Sequence, residues 1–285
     1  TINSEQKVLQ PQFVSINVPE NSNFSYPRES KIVLKVPIDE KDKQILFGWN
    51  KKLGPLIVRQ VSNSLNNSQI GSELQLYSAY LLPGELSAPI VFDGFTSVSS
   101  IELIKDYLFI GFEHIIPKGL DHILFVLGLF LFSTRFSQLI VQVSIFTIAH
   151  TITLAIASVG LVTIPASIVE PLIALSISYV ALETLWHTRM GWSRLVVIFG
   201  FGLLHGLGFA SVLMEIGLSQ QHFITGLVAF NVGVEIGQLA VISAAYLTIG
   251  LFFSKARFYR SFVQIPLSIL IAAIGVWWFI ERVFF

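Results

Sequence analysis

Long apolar runs fill the second part of the chain, whereas the first hundred residues hold only short ones. A helix needs about 20 mostly apolar residues to cross the hydrocarbon core of a bilayer, and six windows reach that length. The predicted spans are Tyr107–Phe132, Leu139–Val162, Ser167–Trp186, Leu195–Leu218, Phe223–Phe253 and Phe262–Phe279. Pro117 and Gly119 interrupt the first span, and we expect a broken helix there because proline removes a helical hydrogen bond.

The first hundred residues show partial alternation of apolar and polar positions, separated by turn-rich stretches. The predicted strands are Phe13–Val18, Ile32–Val36, Leu56–Val61, Leu74–Leu81 and Pro89–Phe92. The pattern indicates an all-β, sandwich-like soluble domain over residues 1–100. An all-α membrane bundle of about six transmembrane helices is predicted over residues 101–285.

The distribution of charge supports this division. Residues 1–106 carry 21 charged side chains and residues 107–285 carry 15. With 13% charged residues and a mean hydropathy of +0.70, the chain as a whole is too apolar for an ordinary soluble protein. The net charge of zero gives no indication of a nucleic-acid partner. Cysteine is absent, which excludes disulfides, thiolate metal sites and thiol catalysis.

Positive charge in the predicted loops indicates an orientation, because cytoplasmic loops are enriched in Lys and Arg. The loops after spans one, three and five carry Arg135, Arg189, Arg194, Lys255, Arg257 and Arg260, and the loops after spans two and four carry none. The N-terminal domain and the C-terminus are therefore predicted outside the cytoplasm of a bacterium, with the bundle in the inner membrane. The chain begins at Thr1 without Met, as a chain does after removal of a signal peptide.

Ionisable side chains inside spans are functional candidates, since burying a charge in the bilayer costs several kcal/mol. The candidates for a metal site are His114, Asp121, His122, His150, Glu183, His205, Asn231 and Glu235. Helical spacing places His114, Asp121 and His122 on one side of the first span, and Asn231 and Glu235 on one face of the fifth.

Structural roles compete with these functional ones. His150 and His205 each suit a hydrogen bond to a neighbouring helix. Glu183 has possible partners in His187 and Arg189, and Lys118 is placed to neutralise either Asp121 or Glu113. The joint occurrence of three histidines, an aspartate and several glutamates in separate spans favours a site.

Imidazole and carboxylate without thiolate suit borderline divalent metals, namely Ni²⁺, Co²⁺ and Zn²⁺, with Mn²⁺ and Fe²⁺ as further candidates. Calcium and magnesium prefer oxygen ligands, and Cu(I) prefers sulfur. The residues alone leave the choice among the borderline metals open.

The segments that hold these residues resemble the HupE/UreJ family of membrane proteins. The similar segments are Gly111–Phe125, Phe146–Leu154, Val169–Glu183, Phe199–Ala210 and Phe230–Gln238. His114, Gly119, Asp121 and His122 resemble the family's His…Gly-x-Asp-His signature, with a longer interval after the first histidine. The resemblance implies a nickel or cobalt permease of the longer subgroup, with an extracytoplasmic N-terminal domain. A separate hypothesis is that this domain captures either the metal or a protein partner outside the membrane.

Three functions remain as hypotheses. The first is a permease that passes Ni²⁺ or Co²⁺ through the bundle and is not an enzyme. The second is an intramembrane metal-dependent hydrolase, although no His-Glu-x-x-His segment is present. The third is a membrane accessory or assembly protein that binds metal for a metalloenzyme without transporting it.

Overall fold

The computed structural model describes residues 2–4, 8–17, 31–39, 42–48, 50–52, 56–61, 75–92, 100–186, 190–216, 223–253 and 258–285. The chain separates into two compact units, Thr1–Ser99 and Ser100–Phe285. Strands occur in the first unit and helices in the second. This arrangement confirms a small strand-containing region followed by a helical part.

The strands of the first unit are short and antiparallel. They are β1 (Ile2–Ser4), β2 (Val8–Leu9), β3 (Gln12–Asn17), β4 (Lys31–Lys35), β5 (Gln44–Phe47), β6 (Leu56–Val61), β7 (Gln75–Leu81) and β8 (Ile90–Val91). One sheet has the order β2-β1-β5-β8, and β3-β4 and β6-β7 form two separate pairs. β1, β2 and β5 were not predicted because two to four residues are too few to show alternation. The sandwich-like packing of these sheets stays a prediction.

The described residues of the second unit form mostly long apolar helices, together with one short α-helix and two π-helical segments, Tyr246–Gly250 and Tyr259–Gln264. The α-helices are α1 (Ser100–Ile115), α2 (Leu120–Phe132), α3 (Phe136–Ser158), α4 (Ala166–Trp186), α5 (Trp192–Ile216), α6 (Phe223–Ala245), the short α7 (Leu251–Phe253) and α8 (Ile265–Phe284). Within the described residues, five helical segments are long and apolar enough to cross a membrane, and the pair α1–α2 makes a sixth if it forms one broken span. The chain is therefore a multi-pass membrane protein.

Helix boundaries follow local chemistry. α3 ends four residues before the predicted Val162, because Gly160 adopts a left-handed conformation with φ of +76°. The Gly160 amide donates to the Ala157 carbonyl and the Leu161 amide to the Ile156 carbonyl, which is the Schellman arrangement that closes a helix.

The start of α5 also differs from the prediction. This helix begins at Trp192 and includes Arg194. The expectation that Arg194 is a loop charge was therefore wrong.

Candidate metal centre

The break in the first span brings three of the predicted residues together. α1 ends one residue after His114 and α2 begins one residue before Asp121, with a bend of 70° between the helices. A Cβ atom at Gly119 would overlap the carbonyl oxygen of His114, so only glycine permits the turn to return this closely onto α1. The His114 and His122 ring centroids consequently lie 4.7 Å apart.

His150 and His205 reach the same place from α3 and α5, which pack closely. Gly206 faces the carbonyl oxygen of His150 and Thr153 Oγ1, and any side chain at this position would overlap both. Thr153 also donates a 2.7 Å hydrogen bond to the carbonyl oxygen of Leu203 across the interface. The ring of His122 lies 4.9 Å from that of His205 and 5.9 Å from that of His150.

Among the described residues, two sets of ligand atoms each lie close enough together to hold a single ion. One set comes from His114, His122 and His150, and the other from Asp121, His122 and His205. In each set, one ligand atom per residue lies within 4.8 Å of the others. His122 belongs to both sets, so they form one continuous group, which we call the histidine centre.

Hydrogen bonds at the edge of the centre define which nitrogen of two rings faces inward. His122 Nδ1 lies 3.1 Å from Asp121 Oδ1, and a carboxylate only accepts, so Nδ1 carries the proton. His150 Nδ1 lies 3.2 Å from Asn231 Oδ1, which likewise accepts, while the Asn231 amide donates to the Leu227 carbonyl. Both rings therefore keep a lone pair on Nε2. Such partners orient a histidine for metal binding.

The inward nitrogens of the centre have no hydrogen-bond partner among the residues that the structure describes. These buried atoms are Nε2 of His114, His122 and His150, together with Nδ1 of His205. Buried polar atoms in native proteins are almost always hydrogen-bonded, and each orphan costs about 1–3 kcal/mol. Four such nitrogens in one group, of which those of His122 and His150 carry lone pairs, therefore indicate a site for an electron-pair acceptor such as a metal ion.

Aromatic side chains surround the centre. Phe125 and Phe146 lie 5.3 and 5.0 Å from the His205 ring, and Phe209 lies 3.9 Å from the His114 ring. Phe125 and Phe146 are fully buried. This apolar wall excludes water from the inward nitrogens, which strengthens their interaction with a cation.

Asn231 and Glu235 lie on α6 opposite α3, but they take different roles. Asn231 orients His150 as described, whereas Glu235 accepts a 2.7 Å hydrogen bond from Ser144 and its second oxygen has no hydrogen-bond partner. Thr147 donates to Gln238 at 3.1 Å between the same helices. Glu235 belongs to neither ligand set. It lies on a polar strip, made by these side chains, that extends from the centre along α3 and α6.

Glu183 is placed away from the histidine centre, in a buried ion pair. It pairs with Arg194, whose Nε donates to Gln142 Oε1 at 2.8 Å and whose guanidinium lies 3.6 Å from the Phe132 ring centroid. At a rise of about 1.5 Å per residue, Gln142 is ~12 Å from His150 along α3. The partners His187 and Arg189 considered for Glu183 lie outside the described residues.

Two further ion pairs involve residues that are not in the candidate site. Lys118 pairs with Glu113 at 2.7 Å, and Glu170 lies 3.9 Å from Arg282 near an exposed helix end. Sequence reasoning missed Gln142 and Arg194 as parts of the Glu183 network. Gln142 shows only a polar side chain within a predicted span, and Arg194 stands in a predicted loop, so neither signal identifies a partner.

The chain thus belongs to the class of multi-pass membrane proteins that enclose a buried, imidazole-rich centre. A family model described as HupE / UreJ protein matches residues 93–282, about two thirds of the chain. The chain therefore belongs to the HupE/UreJ family, and the resemblance found in its motifs is confirmed. The match contains every residue of the histidine centre and begins after β8. Comparisons with curated proteins and with solved structures gave no match.

Proposed function

We propose that this protein is a permease that carries Ni²⁺ or Co²⁺ across the bacterial inner membrane, with the histidine centre as its ion-binding position. The HupE/UreJ family is linked to nickel and cobalt transport or to accessory roles in handling these metals. Nickel and cobalt are substrates in this account rather than resident cofactors.

One observation carries the proposal. Four buried imidazole nitrogens without hydrogen-bond partners converge in a wall of phenylalanine side chains. Neutral imidazole with one carboxylate suits Ni²⁺, Co²⁺ and Zn²⁺ better than Ca²⁺ or Mg²⁺, and the family match favours nickel and cobalt among these. An ion at the centre would replace the missing hydrogen bonds with coordination.

Transport is favoured over intramembrane hydrolysis by the placement of Glu183. Water activation would need a carboxylate beside the candidate metal ligands. Glu183 instead pairs with Arg194. Asp121, the carboxylate beside these ligands, is itself assigned as a ligand in the second set, and its Oδ1 accepts hydrogen bonds from the Nδ1 and the backbone amide of His122.

We further propose that the N-terminal domain and the C-terminus lie on the extracytoplasmic side. The positive charges between α2 and α3, and around residues 254–260, support this orientation. The N-terminal domain contains no histidine, so we assign metal selection to the bundle and a protein-binding role to the domain.

Uptake of radiolabelled nickel and cobalt into proteoliposomes tests the proposal. We expect the intact chain to accumulate both ions and His122→Ala to lose most of the uptake, because both ligand sets contain His122. His222→Ala replaces a histidine in the predicted loop between spans four and five; it is the control and should transport normally. Equal uptake by the intact chain, His122→Ala and empty vesicles would contradict the proposal.

The same vesicles separate transport from an accessory role. A protein that binds nickel stoichiometrically without accumulating it in vesicles would be an accessory protein rather than a permease. We expect binding and uptake together, and both should fail in His122→Ala.

A further inference from the structure

Ser176 lies on α4 and contacts the histidine centre from outside both ligand sets. It is buried, and its Oγ lies 3.0 Å from Nε2 of His205 and 2.7 Å from the carbonyl oxygen of Ile173. The Ile173 carbonyl only accepts, so the single hydroxyl proton of Ser176 is used there. Ser176 Oγ must therefore accept a hydrogen bond from His205 Nε2.

This geometry determines the tautomer of His205. A neutral imidazole carries one proton, so a proton on Nε2 leaves the lone pair on Nδ1. His205 Nδ1 is the buried atom that has no hydrogen-bond partner. His205 thus faces the centre with the opposite nitrogen from His122 and His150, whose inward atoms are Nε2.

We propose that Ser176 is a positioning residue that fixes the Nε2–H tautomer of His205 and so presents Nδ1 to an ion held with Asp121 and His122. This inference rests on the proposed function and assigns Ser176 a role through His205, without direct contact to the ion. The Phe125 and Phe146 rings that flank His205 offer no acceptor to replace the serine oxygen. Without Ser176, the Nε2 proton would be buried without a partner.

Ser178 provides a matched control on the same helix. It is also buried, and its Oγ lies 3.0 Å from the Ala272 carbonyl oxygen and 3.4 Å from the Ala174 carbonyl oxygen. Ser178→Ala, like Ser176→Ala, removes a buried serine hydroxyl group from α4. The hydrogen bonds described for Ser178 go to backbone carbonyls and not to a histidine.

Calorimetric titration of the full chain in detergent with Ni²⁺ or Co²⁺ tests the proposal. We expect Ser176→Ala to bind each ion about 10–100-fold more weakly, the usual cost of losing a residue that orients a metal ligand. Ser178→Ala should bind as the intact chain does. In a His205→Ala background, Ser176→Ala should cause no additional loss. Equal binding by Ser176→Ala and the intact chain, or an equal loss in the His205→Ala background, would overturn the inference.

The tautomer is measured independently of metal by ¹⁵N magnetic resonance of the histidine-labelled, metal-free chain. The protein has six histidines, so assignment by single substitutions is practical. We expect His205 to carry its proton on Nε2 in the intact chain and to lose this fixed state in Ser176→Ala. A proton on Nδ1 in the intact chain would overturn the inference. An intact chain that binds neither ion but shows the expected tautomer would contradict the proposed function alone.

Discussion

In three histidines of the centre, one ring nitrogen is hydrogen-bonded to a neighbouring side chain and the other ring nitrogen has no partner among the described residues. Asp121, Asn231 and Ser176 hold His122, His150 and His205 in this way. The nitrogens without a partner raise the free energy of the metal-free protein, because a buried acceptor without a partner loses its hydration. The choice of partner therefore determines which atoms an ion meets.

Asn231 is expected to act through His150 rather than as a ligand. Asn231→Leu removes the oxygen that accepts the Nδ1 proton of His150, and Ni²⁺ binding measured by calorimetry should weaken about 10–100-fold. Asn231→Asp keeps an acceptor in the same place and should bind more tightly than Asn231→Leu. Unchanged affinity in Asn231→Leu would show that His150 does not need this partner.

Close helix packing at glycine brings α3 and α5 together at the centre. Gly206 has no room for a side chain, whereas a Cβ atom at Gly200, on the same helix, would meet nothing within 4 Å. The separation of the two helices, and hence the distance between His150 and His205, depends on Gly206 and not on Gly200.

Gly206→Ala should therefore lower stability by about 1–3 kcal/mol, the usual cost of overpacking, and weaken Ni²⁺ binding. Gly200→Ala should be neutral or slightly stabilising, since alanine favours a helix by about 1 kcal/mol over glycine. Thermal unfolding in detergent and metal titration of both variants measure these effects. Similar behaviour of the two variants would contradict the packing account.

The buried pair of Glu183 and Arg194 joins α4 to α5 and is expected to serve stability. Glu183→Gln leaves the Arg194 guanidinium buried without its counter-charge, which should cost about 3–5 kcal/mol. Glu170→Gln removes a carboxylate that is 52% exposed and should cost less than ~1 kcal/mol. Thermal unfolding of the two variants in detergent measures the difference.

Metal binding distinguishes this role from that of a ligand. Nickel affinity, measured on the folded fraction, should be the same in Glu183→Gln and in the intact chain, because Glu183 belongs to neither ligand set. A large loss of affinity with unchanged unfolding temperature would mean that Glu183 binds the ion.

The sequence predicts those features that depend on one helix. Proline chemistry predicts the break near Pro117. Spacing on one continuous helix is not what brings His114 to Asp121 and His122, because they lie on two helices joined by this break. The sequence does not identify Arg194 as the partner of Glu183. Arg194 stands at the edge of an apolar run, where the sequence does not distinguish a charge in a loop from a charge in a helix. That distinction requires the packing of separate helices.

A serine inside a helix most often donates to a carbonyl of its own preceding turn, as Ser176 does to Ile173. Its contact with His205 depends on how α4 lies against α5, and local sequence does not encode that arrangement. The composition of the candidate site was therefore predictable, whereas the atoms that face inward were not.

The whole molecule combines a domain without histidine and a bundle that holds the histidine centre. The proposed orientation requires the connection between α3 and α4 to face the outside and that between α2 and α3 to face the cytoplasm. Because the chain contains no cysteine, single introduced cysteines report their side of the membrane without background.

Leu161→Cys, at an exposed position after α3, should react with a membrane-impermeant maleimide in intact bacterial cells from which any outer membrane has been removed. Thr134→Cys, between α2 and α3, should react only after the cells are permeabilised. The reverse pattern would contradict the proposed orientation, which rests on the loop charges.

Anomalous X-ray scattering from crystals of the full chain soaked with nickel would locate the bound ion. We expect an anomalous peak at the nickel edge within coordination distance of His122, with the other ligands of the ion drawn from one or both of the two sets. His122→Ala crystals should lack this peak. A nickel peak beside Glu183 or Glu235 instead, or no bound nickel in the intact chain, would contradict the assignment of the histidine centre as the ion-binding position.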